Sequence, residues 1–226
     1  MNKIITPVRK IKTSQRSLRG KILSRKDNQV HDFESSLERD FIEMLEFDSN
    51  VDRYVEQPIT IEYRENGVLK NYTPDFLIYY REDIAPANMY SALLCEIKYS
   101  QELKRKKEEL DLRFKAAEEF AAKKGWRFRV LTEKEIRTEY LQNIKFLGYY
   151  KDAKYTDIND FSLILSKISS LRVSTPTELI LASTRCEDKK PELLFTLWHM
   201  IANGFIACDL TNKLTMKTEI WAKLAI

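Results

Sequence analysis

The chain has 226 residues, of which 43% are hydrophobic and 32% are charged, so it can bury a core and solvate a surface in one or two domains. It has no apolar run of about eighteen residues and no basic-then-apolar leader, so we expect a cytoplasmic protein without membrane spans or a secretory signal. Three cysteines without CxxC spacing and only two histidines argue against zinc sites and disulfide frameworks.

Residues 1–30 are predicted to form a basic N-terminal arm. They contain nine Lys or Arg residues against one Asp, whereas the net charge of the whole chain is only +4. An arm of this density, with few large apolar residues, is suited to phosphate contacts that weaken with added salt. The alternative is a solvated tail without a partner. The candidate DNA-binding residues of the arm are Arg9, Lys10, Lys12, Arg16, Arg19, Lys21, Arg25 and Lys26.

The segment 34–47 is predicted to be an amphipathic helix that carries one candidate ligand. Leu37, Phe41 and Leu45 recur at helical spacing, and Glu38 lies at the edge of that apolar face. A helix packed on a sheet could deliver Glu38 to a metal site. The alternative is a capping box starting at Ser35, in which Glu38 bonds back to the start of the helix.

A β-hairpin is predicted next, from the alternating strand 59–63 through a turn at 65–68 to the strand 69–72. Gln57 precedes Pro58 at the start of this region. It is a candidate active-site neighbour that faces the catalytic centre or DNA, or else a polar residue that ends a turn.

Two carboxylates and one ammonium are predicted to meet at adjoining strand ends. We expect Asp75 to close one strand, beside the aromatic run 76–80, and Glu96 and Lys98 to follow the apolar run 92–95 on the next strand. Taken alone, an aspartate after proline can be a turn residue, and Glu96 with Lys98 can be a surface charge pair.

This combination is what metal-dependent phosphodiester cleavage requires. Side chains alternate along a strand, so Glu96 and Lys98 project to one side while Ile97 points into the core and leaves its backbone carbonyl as a third oxygen ligand. Carboxylate and carbonyl oxygens suit Mg²⁺, for which Mn²⁺ can substitute, and the cation lowers the pKa of an attacking water. Lys98 is expected to position that water and to help deprotonate it.

The rest of the chain predicts a covering helix and a second, smaller domain. A helix over 101–124, a strand over 126–131 and a capping box at 132–135 complete the βαβ pattern. Three further helices over 158–168, 176–182 and 191–202 precede a hairpin of strands 205–209 and 214–221, which is typical of a winged helix.

The third of these helices favours protein docking over DNA binding. It carries no Lys or Arg between Pro191 and Asn203, so it lacks the charge that a recognition helix needs. Trp198 and His199 are interpreted as core or interface packing rather than as ligands.

Four motifs in order, SSLERDF, VEQPITIEY, YTPDF and EIK, resemble the TnsA endonuclease family of heteromeric cut-and-paste transposases. The resemblance implies a restriction-endonuclease-like PD-(D/E)xK fold and places Glu38, Asp75, Glu96 and Lys98 on the family's catalytic positions. Some relatives carry Gln at the position of Glu96, which leaves its ligand role less secure than that of Asp75.

The resemblance also implies a task and partners. Such subunits cut double-stranded DNA at the 5′ ends of the transposon, while an integrase-like transposase (TnsB type) cuts and joins the 3′ ends under an AAA+ ATPase regulator (TnsC type). A bacterial, nucleoid-associated location on DNA is implied as well. The C-terminal domain is expected to dock these partners.

The sequence therefore predicts an α/β protein with a PD-(D/E)xK core, in which a mixed sheet is flanked by helices, and a winged-helix-like C-terminal domain. The predicted domains are the arm 1–30, the endonuclease domain 31–150 and the docking domain 151–226. Two other functions stay open from the residues alone: a catalytically inert DNA-binding assembly adaptor, and a stand-alone restriction or repair nuclease.

Overall fold

The structure is a computed structural model that describes residues 6–8, 18–83, 90–151 and 156–223. The chain divides into two compact units between Ile136 and Arg137. The sequence analysis put this boundary at residue 150. The difference arises because helix α5, Glu139–Gly148, packs against the last helix of the chain and belongs to the C-terminal unit.

The N-terminal unit begins with a hairpin of β1, Gly20–Leu23, and β2, Val30–Phe33. Gly20 lies against the ring of Phe33, where a Cβ atom would come within 2.5 Å of the ring carbon Cζ. Only glycine allows this approach. Part of the predicted arm is therefore a packed element of the fold.

Helix α1, Ser36–Phe47, buries the predicted apolar stripe of Leu37, Phe41 and Leu45. The hydroxyl oxygen of Ser35 caps the helix by accepting a hydrogen bond from the backbone N–H of Glu38 at 3.1 Å. The stripe packs on one face of the central sheet, together with Tyr54.

The central sheet has four strands in the order β3-β6-β7-β8. They are β3, Val51–Glu56; β6, Phe76–Tyr80; β7, Ala92–Ile97; and β8, Arg127–Leu131. Strand β6 is antiparallel to β3 and to β7, whereas β7 and β8 are parallel. This confirms the predicted mixed sheet, and every residue of β7 is buried at its centre.

The predicted hairpin is also present, as β4, Ile61–Glu65, and β5, Val68–Tyr72. Asn66 and Gly67 form its two-residue turn, and both have positive φ, at 50° and 80°. That conformation matches the twist of the flanking strands and favours Asn-Gly.

The second face of the sheet is covered by this hairpin and by helix α3, Lys107–Lys123, through Ala117 and Ala121. The predicted single helix over 101–124 is broken: α2, Ser100–Arg105, ends at Lys106, which leaves the helical region at ψ 24°. A short helix α4, Glu133–Ile136, follows β8. The N–H of Thr132 donates to Glu135 as in the predicted capping box, but the Thr132 hydroxyl accepts from the N–H of Lys134 rather than from that of Glu135, so only half of the box is formed.

The C-terminal unit packs helices against a small antiparallel sheet. After α5 come α6, Ile158–Leu171; α7, Pro176–Ser183; and α8, Lys190–Ala202. The sheet has the order β10-β11-β9, with β9 at Val173–Ser174, β10 at Ile206–Cys208 and β11 at Ile220–Ala222. This is the winged-helix-like arrangement, although the hairpin strands are shorter than predicted.

Asn143 explains why the hairpin strands are short. Its amide N–H₂ donates to the backbone carbonyls of Leu210 and Asn212 at 2.9 and 2.7 Å, and its Oδ1 accepts from the N–H of Leu214 at 3.0 Å. These bonds hold the connection between β10 and β11 against α5, so its backbone cannot continue the strand ladder.

The described residues include no helix that is both long and apolar enough to cross a membrane.

His31 forms a buried charged cluster in the N-terminal unit. It is 4% exposed; its Nδ1 lies 2.6 Å from Glu56 Oε2 and its Nε2 lies 3.1 Å from Asp27 Oδ2. Burial opposes the charge of the imidazolium, but the hydrogen bonds and charges of Glu56 and Asp27 outweigh it and raise the pKa of His31. The imidazolium therefore stabilises the fold at neutral and lower pH.

We expect this cluster to make stability depend on pH. Because the pKa of His31 is raised in the folded state, its contribution to stability is complete below its ordinary pKa of 6.5. This contribution is lost as the pH rises through the folded-state pKa. The free energy of unfolding should thus fall as the pH rises above 6.5. Urea unfolding of the wild type and of His31→Gln across this range measures it. An equally steep decline in His31→Gln would contradict this assignment.

Candidate active site

The first two acids meet where β6 begins and β7 ends. Asp75 was expected to close a strand, but it directly precedes the first residue of β6, because Pro74 keeps the chain out of the ladder until Phe76. The antiparallel register pairs Phe76 with Cys95, so Asp75 and Glu96 are the next pair. The predicted convergence of the acids thus arises from the two strands' antiparallel order.

Asp75 is held by the backbone of the neighbouring strand. The N–H of Ile97 donates to Asp75 Oδ2 at 2.7 Å, and the Asp75 side chain is 17% exposed. The Ile97 side chain is buried in the core, as predicted from strand alternation. Its carbonyl oxygen is 3.5 Å from Lys98 Nζ and lies on the side of the proposed ligands.

Lys98 joins the two acids. Its Nζ lies 2.8 Å from Glu96 Oε1 and 3.8 Å from Asp75 Oδ2, and its side chain is 26% exposed. Burial disfavours the ammonium, but the charges of Asp75 and Glu96 more than offset this and raise the pKa of Lys98. Lys98 is therefore a hydrogen-bond donor at neutral pH.

Tyr72 is a site residue that the sequence analysis missed. Its hydroxyl donates to Glu96 Oε2 at 2.8 Å, and both residues are buried. Burial and, to a smaller extent, the negative charge of Glu96 raise the pKa of Tyr72, so the hydroxyl keeps its proton. Strand β5 is exposed from Val68 to Asn71 and buried only at Tyr72, so its sequence pattern gave no signal that this tyrosine reaches the site.

Glu38 performs the capping role left open by the sequence. Its Oε2 accepts from the N–H of Glu34 at 2.8 Å and its Oε1 from the hydroxyl of Ser35 at 2.9 Å. It also interacts electrostatically with Lys98, and its own charge contributes to the pKa shift of Asp75. A carboxylate has about four lone-pair sites, so the cap leaves Glu38 further acceptor capacity.

The cluster has more negative charge than its single ammonium balances. Burial raises the pKa of Asp75 well above 3.8, and the charges of Glu96 and Glu38 add to that rise. Burial also raises the pKa of Glu38. A cation at this place would relieve the repulsion, which fits the oxygen-rich donor set that Mg²⁺ prefers.

The carboxylates are not yet gathered as a finished metal site. Within the described ranges, no group of three or more His, Cys, Asp or Glu side chains is positioned to hold a metal ion. The oxygens of these acids have protein partners instead: Lys98 and Tyr72 bind the oxygens of Glu96, and the N–H of Ile97 binds Asp75.

Gln57 lies beside Asp75, as the sequence left open. Its N–H donates to the carbonyl oxygen of Asp75 at 2.7 Å, and the residue is 7% exposed.

Four of the eight candidate DNA-binding residues of the arm lie among the described residues, and four do not. Lys26 Nζ donates to the carbonyls of Asp48 and Val51 at 2.8 and 2.7 Å, so this ammonium is used inside the fold and is withdrawn as a DNA contact. Lys21 pairs with Asp32 at 2.7 Å across the hairpin, yet its side chain stays 69% exposed. Arg19 and Arg25 also lie among the described residues, whereas Arg9, Lys10, Lys12 and Arg16 lie outside them.

Replacing Tyr72 should show how far Glu96 depends on it. Tyr72→Phe removes one hydrogen bond to a charged group and should cost about 1.5–3 kcal/mol of unfolding free energy. Partners that orient a ligand typically contribute 10- to 100-fold to metal affinity or activity, so we expect DNA cutting to fall by about tenfold or more. Chemical denaturation and initial cutting rates measure the two effects. Tyr63→Phe, on the neighbouring strand, is the matched control, and an equal loss of cutting there would remove the specific role of Tyr72.

A mixed sheet with a helix on each face, and an Asp and a Glu-x-Lys at adjoining strand ends, defines the class of restriction-endonuclease-like PD-(D/E)xK nucleases. Comparison with protein families agrees. The family described as TnsA-like endonuclease N terminal matches residues 48–133, and the family described as TnsA endonuclease C terminal matches residues 135–210. The chain therefore belongs to the TnsA family and is a transposon-associated endonuclease. No curated protein matched it significantly.

The boundary between the two matches, at 133–135, agrees with the division between the compact units at 136. Asp75, Glu96 and Lys98 fall inside the first match, whereas Glu38 lies ahead of it.

Proposed function

We propose that this chain makes metal-dependent cuts at the 5′ ends of a mobile element during cut-and-paste transposition. The observation that carries the proposal is the cluster of Asp75, Glu96 and Lys98 at the adjoining ends of β6 and β7, in a chain of the TnsA family. Hydrolysis of a phosphodiester needs such a cluster to hold a cation and to orient water.

The proposed ligands of Mg²⁺ are Asp75, Glu96, Glu38 and the carbonyl oxygen of Ile97, and Mn²⁺ would substitute for it. When bound, the cation supplies charge stabilisation at the phosphate and lowers the pKa of the attacking water. Lys98, as a protonated donor, would orient the water and the phosphate oxygens. Tyr72 would keep Glu96 in its orientation.

The proposed partners are double-stranded DNA at the transposon end, an integrase-like transposase of the TnsB type and an AAA+ regulator of the TnsC type. The proposed phosphate contacts are the exposed Lys21 together with Arg9, Lys10, Lys12, Arg16, Arg19 and Arg25. Helix α8 carries no Lys or Arg between Pro191 and Asn203, which supports a docking role for the C-terminal unit.

Strand mapping on a labelled duplex that carries the transposon end tests the proposal. The chain, with Mg²⁺ and both partner proteins, should produce a break on the strand at the 5′ end of the element, and omission of metal should abolish it. A break that forms equally well without partners would indicate a stand-alone nuclease. No break, together with no Mn²⁺ binding by calorimetry, would indicate an inert assembly adaptor.

The basic arm makes a separate prediction about DNA affinity. Changing Arg9, Lys10, Lys12 and Arg16 to Gln removes charge but keeps Val8, whose N–H donates to Gln57. The logarithm of the binding constant should then depend less steeply on the logarithm of salt concentration, by about 0.9 for each phosphate that the variant no longer neutralises. Fluorescence anisotropy at several salt concentrations measures this slope.

The matched control for the arm changes four exposed lysines of the α3 region, Lys107, Lys115, Lys123 and Lys124, to Gln. An unchanged slope in the arm variant, or an equal change in the control, would rule out the arm as the phosphate-binding segment.

A further inference from the structure

Gln57 occupies the position across the sheet from Asp75. The ladder between β3 and β6 ends with the pair Glu56 and Phe76, and the N–H of Gln57 then donates to the Asp75 carbonyl oxygen at 2.7 Å. The ladder between β6 and β7, extended by one residue, pairs Asp75 with Glu96. Gln57 directly follows β3, Asp75 directly precedes β6 and Glu96 lies in β7, so the three residues form one row at this end of the sheet.

The side chain of Gln57 carries a polar atom without a partner. Gln57 is 7% exposed, its Oε1 is buried, and no described residue donates a hydrogen bond to it. A buried acceptor without a donor costs the whole desolvation of that group, so such atoms are rare in folded proteins. The donor that would satisfy Oε1 must then come from outside the described part of the chain.

The backbone of Gln57 is strained as well. Its φ is +43°, in the left-handed region that side-chain-bearing residues rarely adopt. The strand is held on both sides of this point, because the N–H of Gln57 donates to Asp75 and its carbonyl oxygen accepts from the N–H of Val8 at 3.0 Å. Strain of this kind persists only where surrounding structure enforces it, and it gathers at functional sites.

We infer that Gln57 Oε1 accepts a hydrogen bond from the water that attacks the phosphodiester. This inference rests on the proposed nuclease function and adds a catalytic residue to it. A neutral amide supplies an acceptor without adding another negative charge to a row that already contains Asp75 and Glu96. When Gln57 Oε1 holds one O–H of the water, a lone pair of the water oxygen points at the phosphorus.

The chemical step itself is ordinary hydrolysis. The oxygen of the water forms a new bond to phosphorus, one ester P–O bond breaks, and the proton released by the water balances the departing alkoxide. Gln57 neither gains nor loses a proton in this step. Its contribution is the orientation of the water.

Two variants of similar length separate the acceptor from the shape of the side chain. Gln57→Met cannot accept the hydrogen bond, and the end-cutting rate at saturating DNA should fall on the order of 10- to 100-fold while the KM for DNA stays unchanged. Gln57→Glu keeps an acceptor oxygen and should cut faster than Gln57→Met, although its added charge beside Asp75 and Glu96 should keep its rate below that of the wild type. Both are assayed in the full chain with Mg²⁺ and the partner proteins.

Thermal unfolding without metal or DNA supplies a readout that does not depend on cutting. Gln57→Met removes a buried unsatisfied acceptor, so its Tm should equal or exceed that of the wild type. A purely structural Gln57 predicts a lower Tm and a loss of cutting that follows the loss of folded protein, and this result would overturn the inference. Full cutting by Gln57→Met would overturn it too.

Asp75→Asn distinguishes this inference from the function on which it rests. If the wild type cuts and Asp75→Asn does not, the proposed nuclease site is supported, and the Gln57 variants then test the role of Gln57 alone. If Asp75→Asn cuts like the wild type, or the wild type does not cut with metal and partners present, the proposed site fails and the role of Gln57 fails with it.

Discussion

Asp75→Asn should reduce end cutting by about 1000-fold or more while leaving the fold at least as stable as before. The asparagine keeps an oxygen for the N–H of Ile97, which now donates at 2.7 Å, so the start of β6 stays in place. What disappears is the negative charge at the proposed cation position. The loss is therefore electrostatic and local.

The stability half of this prediction follows from the pKa of Asp75. Burial and the neighbouring acids raise that pKa well above 3.8, so the folded state favours the protonated form. The favourable contribution is complete below pH 3.8 and is lost as the pH rises through the folded value. At neutral pH the wild type thus carries a destabilising charge, and its removal should raise the unfolding free energy.

Denaturant unfolding, DNA binding and end cutting together test Asp75→Asn. DNA affinity should stay the same or increase, since one negative charge near the phosphate is gone. Added Mn²⁺ should raise the Tm of the wild type and leave that of Asp75→Asn unchanged. The matched control is Asp83→Asn, because Asp83 is an exposed acid that pairs with Arg81 away from the cluster. A less stable Asp75→Asn with normal cutting would show that Asp75 is structural.

The meeting of Asp75 and Glu96 was readable from the sequence because its signals are local. The run 76–80 and the run 92–95 each predict a strand, and once they pair in an antiparallel manner Asp75 and Glu96 must meet. The Asn66-Gly67 turn was also readable, because few residue pairs accept two positive φ angles. These features depend on residues that are close in the sequence.

The features that were missed depend on long-range contacts. Tyr72 reaches Glu96 through a hairpin that folds back on the sheet, and Lys26 reaches the carbonyls of Asp48 and Val51 from a separate hairpin. Charge density alone made Lys26 look like a DNA contact. Only the packed fold shows that its ammonium is already bound to backbone oxygens.

The boundary between the compact units, at residue 136, differs from the predicted boundary at residue 150 for the same reason. The amphipathic pattern of α5 does not say which unit its apolar face joins. In the structure, three hydrogen bonds between the Asn143 side chain and the backbone of residues 210–214 attach α5 to the C-terminal unit. The break between α2 and α3 at Lys106 has no comparable sequence signal, because Lys is a good helix former.

Lys98→Met should abolish most cutting and, in the same protein, tighten metal binding. Lys98 Nζ lies 2.8 Å from Glu96 Oε1 and 3.8 Å from Asp75 Oδ2, so it stands between the acids that are proposed to bind the cation. Without the ammonium, two mostly buried carboxylates lose their counter-charge. The variant should be less stable by about 2–4 kcal/mol at neutral pH without metal.

The loss of the Lys98 ammonium should also make the stability of Lys98→Met depend on pH and on metal. Removing Lys98 raises the pKa of Asp75 and Glu38 further, so the stability of Lys98→Met should recover as the pH falls and these two acids take up protons. A divalent cation should restore it as well, and the rise in Tm with Mn²⁺ should be larger than in the wild type. Cutting should still be lower on the order of 100- to 1000-fold, because no donor orients the water and the phosphate.

Calorimetric Mn²⁺ titration, thermal unfolding and end cutting decide this prediction, with Lys115→Met on the exposed face of α3 as the matched control. Lys98→Arg retains the positive charge and should keep most of the stability. Its larger, planar guanidinium places the N–H donors at different positions, so cutting should stay impaired. Unchanged Mn²⁺ affinity in Lys98→Met would mean that the ammonium and the cation do not share a position. Normal cutting by Lys98→Met would reduce Lys98 to a charge that balances the acids, and the nucleophilic water would need another donor.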